Sequence, residues 1–237
     1  MDLTLIIPGY NEEGRIALTL ERTAAYLAAQ PWQWEIVVVD DGSADRMSAR
    51  VEEFARAWPQ VRGLRHHPNR GKGYAIRQGV AAARGRIIGF TDADYKTEIA
   101  ALGRAMELLR VGADGVIGDR TLAQSRIAVS RRRYRQVGTE VFRGVLLRLM
   151  GLEGFGDTQC GFKFFRAEVM RDLFSRQRVD GYMFDVEILL LAARAEYRIE
   201  KLGVEWRDDP DSRFKPLSGT WRNLRELGRI RWMHRRG

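Results

Sequence analysis

The chain has 237 residues, 45% hydrophobic and 30% charged, with a formal net charge of +9. That length suits one α/β domain with room for a substantial core, and the composition excludes a disordered or collagen-like chain. Its single cysteine, Cys160, excludes an internal disulfide and a cysteine-based zinc cluster.

Leu3–Ile7 is a short apolar run stopped by Pro8-Gly9, which predicts a strand and then a loop. Asn11-Glu12-Glu13 opens a helix carrying Ile16, Leu20 and Leu27. Glu35–Val39 predicts a second buried strand, ended by Asp40-Asp41-Gly42-Ser43, with a helix following through Val51 and Phe54. Val61–His66 is a third strand, Asn69–Gly73 a loop, and the stretch to Ala83 helical. Arg86–Thr91 is a fourth buried strand that ends at Asp92-Ala93-Asp94. A helix over Ile99–Leu109 and a short strand at Gly115–Gly118 complete the alternation. From about Arg126 it fades into a basic stretch and a glycine-rich one, Gly151–Gly161. Then come a helix from Ala167, another near Phe184–Ala195, a strand near Ile199–Trp206 and a basic C-terminal helix. Alternating strands and helices predict a mostly parallel sheet covered on both faces. Polar clusters at the carboxyl ends of strands mark the edge where open α/β sheets bind ligands.

The positive charge is local. Arg126–Met150 carries seven arginines and one glutamate, and Trp221–Gly237 six arginines and one glutamate, which leaves −2 for the rest. Such patches suit a polyanionic surface, nucleic acid or anionic lipid, or a solvated basic face. Trp221, Leu224, Leu227 and Ile230 recur every three residues between Arg222, Arg225, Arg229 and Arg231. This predicts an interfacial helix, or one that packs on the core. Val137, Val141, Phe142, Val145, Leu146, Leu149 and Met150 make a second such face. No apolar run reaches the ~18 residues of a transmembrane helix, and the N-terminus lacks a signal-peptide pattern. The expected setting is cytoplasmic and peripheral to a membrane.

Asp92-Ala93-Asp94 is the central chemical signal. Two carboxylates two residues apart after a buried strand suit a hard cation, Mg²⁺ or Mn²⁺, that keeps sites open for phosphate oxygens. Alone the pair is also common in plain acidic loops. Three polar strand ends, after Ile7, Val39 and Thr91, are expected to converge on one crevice.

Taken in order, Pro8-Gly9-Tyr10-Asn11-Glu12-Glu13, Val38-Val39-Asp40-Asp41-Gly42-Ser43, Asn69-Arg70-Gly71-Lys72-Gly73 and Asp92-Ala93-Asp94 resemble the successive motifs of inverting GT-A glycosyltransferases of family 2. Asp157-Thr158-Gln159-Cys160-Gly161-Phe162-Lys163, Phe184-Asp185-Val186-Glu187 and Val204-Glu205-Trp206 are similar to the polyprenyl-phosphate branch, with the dolichyl-phosphate glucose synthases nearer than the mannose synthases. The resemblance runs from Leu3 to about Lys215. It implies a Rossmann-like GT-A catalytic domain over 1–215, with 126–156 a basic amphipathic acceptor or membrane segment inside it and 216–237 a basic interfacial helix. It also implies a nucleoside-diphosphate-sugar donor, a polyprenyl phosphate acceptor and a divalent metal. Pro8, Tyr10, Glu12 and Asp41 would hold the nucleoside, Asp41 by accepting from the base imide. Gly71 and Gly73 would allow close backbone approach, and Lys72 would meet phosphate. Asp94, and less directly Asp92, would bind metal, and Arg120 the diphosphate. Asp157, supported by Gln159, would serve the acceptor nucleophile, and Arg131, Arg213 and Lys215 its phosphate. Lys96 stands where the mannosyl members have a metal-binding glutamine, and an ammonium cannot ligate a cation.

Three other readings fit parts of the pattern. A family-2 enzyme with a soluble or protein acceptor would leave the basic helices as surface. A nucleic-acid-binding protein would use the arginine clusters but leaves the polar strand ends unexplained, so no nucleic acid is expected. A nucleotidyltransferase would use paired carboxylates but needs a glycine-rich N-terminal cradle that Pro8-Gly9-Tyr10 does not supply.

Overall fold

The computed structural model describes residues 1–127, 144, 147–207 and 216–235, without the side chains of 127 and 216–224. A seven-stranded sheet runs in the order β3-β2-β1-β4-β7-β5-β8. Its strands are β1 (Leu3–Gly9), β2 (Trp34–Asp40), β3 (Val61–Arg65), β4 (Ile87–Thr91), β5 (Gly115–Gly118), β7 (Phe162–Arg166) and β8 (Ile199–Leu202). All pairings are parallel except those of β7, which runs antiparallel between β4 and β5. A second, two-stranded parallel sheet joins β6 (Arg126–Ile127) to β9 (Glu205–Trp206).

Every residue of β1 and β2 is buried, as expected of central strands covered on both faces. Alternate side chains feed two cores. Leu3, Leu5, Ile7, Ile36 and Val38 pack with helices α1 (Glu13–Ala28), α2 (Met47–Ala57) and α4 (Ala101–Arg110). Ile6, Val37 and Val39 pack on the other face. There lie α3 (Lys72–Ala82), α5 (Ala167–Arg176), α6 (Phe184–Arg194) and the last turns of α7 (Pro216–Met233).

The expected strands up to β5 lie where the sequence puts them, to within two residues at each end. Two differences matter. The expected strand over 199–206 is broken at Gly203-Val204 into β8 and β9, which belong to different sheets. The other is β7, a strand that the sequence pattern does not announce. Its antiparallel insertion brings the stretch after Asp157 alongside the acidic end of β4, with Thr91 opposite Phe162. No helix of the described residues is long and apolar enough to cross a membrane.

Candidate active site

Because β2, β1 and β4 are neighbours, their carboxyl ends open side by side, and their loops are tied together. Asn11 takes a left-handed backbone (φ 56°), which asparagine tolerates better than most residues. That turns its amide oxygen onto the next loop, where it accepts from the Ala44 N–H at 2.8 Å and the Asp45 N–H at 3.3 Å. The Asn11 N–H in turn donates to Ser43 Oγ at 2.9 Å. Glu13 Oε2 accepts from the Arg46 N–H. Pro8 is buried at the end of β1, and Tyr10 stands at the mouth, 45% exposed. Glu12 forms a two-point ion pair with Arg15, at 2.7 and 3.0 Å.

Asp41 is buried, and its carboxylate is turned into the protein. It accepts from Asn69 Nδ2 at 2.9 Å and from the Arg70 and Gly71 N–H groups at 2.8 Å each, with His66 Nε2 3.3 Å away. In this arrangement Asp41 organises the loop that leads into Lys72. Asp41→Ala should therefore loosen both the nucleoside end and the phosphate end of a donor site, raising donor KM about tenfold or more, since hydrogen bonds to a charged group are worth ~1.5–3 kcal/mol each. Calorimetry with the free nucleotide tests this, and unchanged affinity would remove Asp41 from the donor site.

The acidic pair lies at the end of β4. Lys72 Nζ, from the first turn of α3, meets Asp92 Oδ1 at 2.5 Å. The other Asp92 oxygen rests on Gly161, where a Cβ would stand only 2.1 Å from it, so any larger residue there would displace this carboxylate. Burial works against the charge on Lys72, but Asp92 and Asp185 outweigh it and hold the ammonium protonated. Asp94 is paired with Lys96, through Nζ at 3.1 Å and the N–H at 3.3 Å. Lys96 thus neutralises the carboxylate expected to bind metal. Among the described residues no group of three or more His, Cys, Asp or Glu is placed to hold a metal. Two hard carboxylates fit a cation that takes few protein oxygens and completes its shell with phosphate and water.

Arg120, just past β5, and Asp157 form a two-point ion pair. Nε donates to Oδ2 at 2.6 Å and Nη2 to Oδ1 at 3.0 Å, and the Arg120 N–H adds a third bond to Oδ2 at 3.2 Å. The sequence reading assigned these two residues to different substrates; the structure joins them. Burial pushes the Asp157 carboxyl up, but the guanidinium outweighs it and holds it below the usual carboxylate range. Arg120 lies over the Trp206 ring at 5.3 Å, which gives the Val204-Glu205-Trp206 motif a visible task. β9 also pins the loop after Asp94: Glu98 N–H donates to Glu205 O, and Arg207 N–H to Lys96 O. Gln159 is exposed and reaches Asp157 through its backbone N–H at 3.2 Å.

Sequence reasoning missed the support beneath these pairs. Lys163 on β7 is fully buried; its Nζ donates to Asp185 Oδ1 at 2.6 Å and to the Cys160 carbonyl at 2.7 Å. Burial raises the Asp185 pKa despite Lys163 and Lys72 nearby. Cys160 is buried in the same cluster, and its thiol is pushed up to about 11 by burial. The motifs containing Lys163 and Asp185 were visible in the sequence, but their pairing across 22 residues was not.

The sequence profile of Glycosyl transferase family 2 matches residues 4–174. The chain belongs to this family. Curated relatives include dolichyl-phosphate beta-glucosyltransferases from Trichomonas vaginalis, 35% identical and aligned over 98% of this chain and 74% of the relative. Those from Saccharomyces cerevisiae (32%; 87% and 67%) and Homo sapiens (30%; 91% and 70%) also align over most of this chain. Among solved structures, glucosyl-3-phosphoglycerate synthase from Mycobacterium tuberculosis superposes with a TM-score of 0.73, at 19% identity, over 97% of this chain and 78% of that chain. The fold is thus GT-A, and the protein is a glycosyltransferase.

For this family-2 glycosyltransferase, the residues expected to meet the acceptor phosphate, Arg131, Arg213 and Lys215, lie outside the described residues. The basic segment at 126–156 is described at 126–127, 144 and 147–156, where Leu147 and Met150 are buried and Leu149 is exposed. Of the two readings of the C-terminal helix, packing on the core holds for two of its apolar residues. Leu227 and Ile230, read as part of an interfacial apolar stripe, are buried in the core formed with α5 and α6. The same three-residue spacing serves a core-facing helix. Arg225, Arg229 and Arg231 remain exposed, as does Trp232 at 71%.

Proposed function

We propose that this glycosyltransferase moves glucose from UDP-glucose to the phosphate of a dolichyl-type polyprenyl phosphate, with inversion at the anomeric carbon. Extensive identity to dolichyl-phosphate beta-glucosyltransferases supports the substrates. The observation that carries the chemistry is a set of three ion pairs, Lys72–Asp92, Lys96–Asp94 and Arg120–Asp157, with the Asp92 carboxylate lying against Gly161 on the loop that follows Asp157.

An acceptor phosphate oxygen forms a bond to the anomeric carbon as the bond to the UDP oxygen breaks. A phosphate monoester is already anionic near neutral pH, so the step needs no strong base. Asp157, held ionised, orients the acceptor side and fixes Arg120, whose charge faces the negative charge that moves between the two phosphates. Lys72 supplies a second fixed positive charge on the donor side. Asp94, with Asp92, would hold Mg²⁺ or Mn²⁺; solved relatives of the same fold are in complex with Mn²⁺ and UDP-glucose. When bound, such a cation neutralises the departing diphosphate as a Lewis acid. A donor screen with polyprenyl phosphate, Mn²⁺ and a panel of nucleotide sugars tests the reading. Lipid-linked glucose from UDP-glucose is expected, and transfer only to soluble acceptors would overturn the lipid assignment.

The setting we infer is the cytoplasmic face of a membrane. Exposed Arg225, Arg229 and Arg231 each add roughly 1 kcal/mol of attraction close to an anionic bilayer, and Trp232 adds an anchor that salt does not screen. Binding to anionic vesicles should be partly, not wholly, reversed by high salt. Arg225→Gln with Arg229→Gln should weaken it and slow transfer to long-chain lipid phosphate, while sparing a short water-soluble prenyl phosphate. A protein that ignores anionic vesicles at low salt has no such surface.

A further inference from the structure

Residues 177–183, between α5 and α6, are bonded to two parts of the molecule at once. One is the loop that presents Lys72. The Asp180 carbonyl accepts from the Gly73 N–H at 2.8 Å and the Tyr74 N–H at 3.2 Å. Gly71, at φ 110°, approaches that carbonyl so closely that a Cβ would stand 2.5 Å from it. The Asp180 carboxylate takes Arg77 Nη2 at 2.6 Å and faces Arg70 at 3.5 Å. The first turn of α3, with Lys72 in it, is therefore placed by this segment.

The other part is α7. Glu226 Oε2 accepts from the Met183 N–H at 3.2 Å, and Glu226 Oε1 lies against Gly181, where a Cβ would be 2.3 Å away. Near the helix end, His234 Nε2 meets Glu187 Oε1 at 2.8 Å. The fully buried Glu187 carboxylate also accepts from the Arg178 and Val179 N–H groups, at 2.9 and 2.8 Å. Glu226 is the one acid among six arginines from Trp221 to Gly237. It is turned inward, onto the segment that holds the phosphate loop.

We propose that Glu226 is a positioning residue for the donor: it fixes residues 180–183, which fix Gly71–Tyr74, so the seating of α7 sets donor affinity. This rests on the reading of Gly71–Lys72 as the donor-phosphate loop. The same helix carries exposed Arg225, Arg229 and Trp232. Contact with the surface that holds the acceptor is thereby linked to the site that holds the donor.

The test is UDP calorimetry with Mn²⁺, together with donor KM and kcat, on full-length Glu226→Ala and Glu226→Gln. Glutamine keeps an oxygen to accept from the Met183 N–H. In Glu226→Ala, UDP affinity should fall and donor KM should rise by about fivefold or more, the worth of roughly one hydrogen bond, with kcat at saturating donor within about twofold. Glu226→Gln should restore most of the affinity. A folded Glu226→Ala protein with a lower melting temperature but unchanged KM would overturn the proposal. If Glu226→Ala does not fold, His234→Ala, which cuts the second attachment, should raise KM in the same direction, and an unchanged KM there would overturn it equally. Failure of the wild-type protein to bind UDP at all would instead sink the donor-site reading on which the proposal stands.

Discussion

Replacing Asp94 by alanine should lower kcat by roughly a hundred- to a thousandfold while leaving the fold intact. The two expectations have separate causes. Asp94 is a partly buried carboxylate whose protein contacts are the Lys96 N–H and ammonium. Both side chains keep some exposure, 18% and 16%, so losing the pair costs less than the ~3–5 kcal/mol of a fully buried one. The loss of rate comes from the departing diphosphate, since removing one fixed electrostatic partner of a transition-state charge costs roughly 3–4 kcal/mol. Lys96 sharpens the test. Once freed from Asp94, its ammonium can partly offset the missing charge, so Asp94→Ala with Lys96→Gln should be worse than Asp94→Ala alone. Titrating activity against Mn²⁺ reads the effect directly, and full turnover by Asp94→Ala in metal-supplemented buffer would refute the assignment.

The strand ends that frame the candidate site were largely legible because their determinants are local. A buried strand followed at once by polar residues announces a strand end, and three such ends in a parallel sheet must open on one edge. Periodicity also placed most helices. What escaped were features made by contacts distant in sequence. Phe162–Arg166 follows a glycine-rich stretch and runs straight into α5, and Lys163 interrupts its apolar pattern; Asp185, brought in by α6, together with the Cys160 carbonyl, makes a buried lysine tolerable there. Arg120 and Asp157 are 37 residues apart, and each was read alone. The stripe of Leu227 and Ile230 shows why periodicity cannot name what covers a helix: a bilayer and a protein core select the same spacing, and here the core takes both residues.

Asp157→Asn should bind UDP-glucose within about twofold of wild type, lose most transfer, and melt at a lower temperature. The isosteric amide turns one of two acceptor oxygens into a donor facing Arg120, which needs both. Breaking a buried pair by removing one partner costs about 3–5 kcal/mol, because the remaining charge is stranded. Asp157 is 4% exposed, so solvent screens it little. The stability loss carries a pH signature. The folded-state pKa of Asp157 lies below its unfolded value, so its contribution is fully present above the unfolded pKa of about 3.9 and disappears as pH falls through the folded value. The melting difference between variant and wild type should thus be full at neutral pH and shrink in acid. Arg120→Lys provides the complementary half, since an ammonium cannot grip a carboxylate at two points. In a double-mutant cycle, Asp157→Asn and Arg120→Lys should be strongly non-additive in transfer rate, because either change alone dismantles the same pair. A defect milder with phosphate acceptors than with alcohols would mark Asp157 as orienting rather than deprotonating, and wild-type transfer by Asp157→Asn would reduce it to a structural residue.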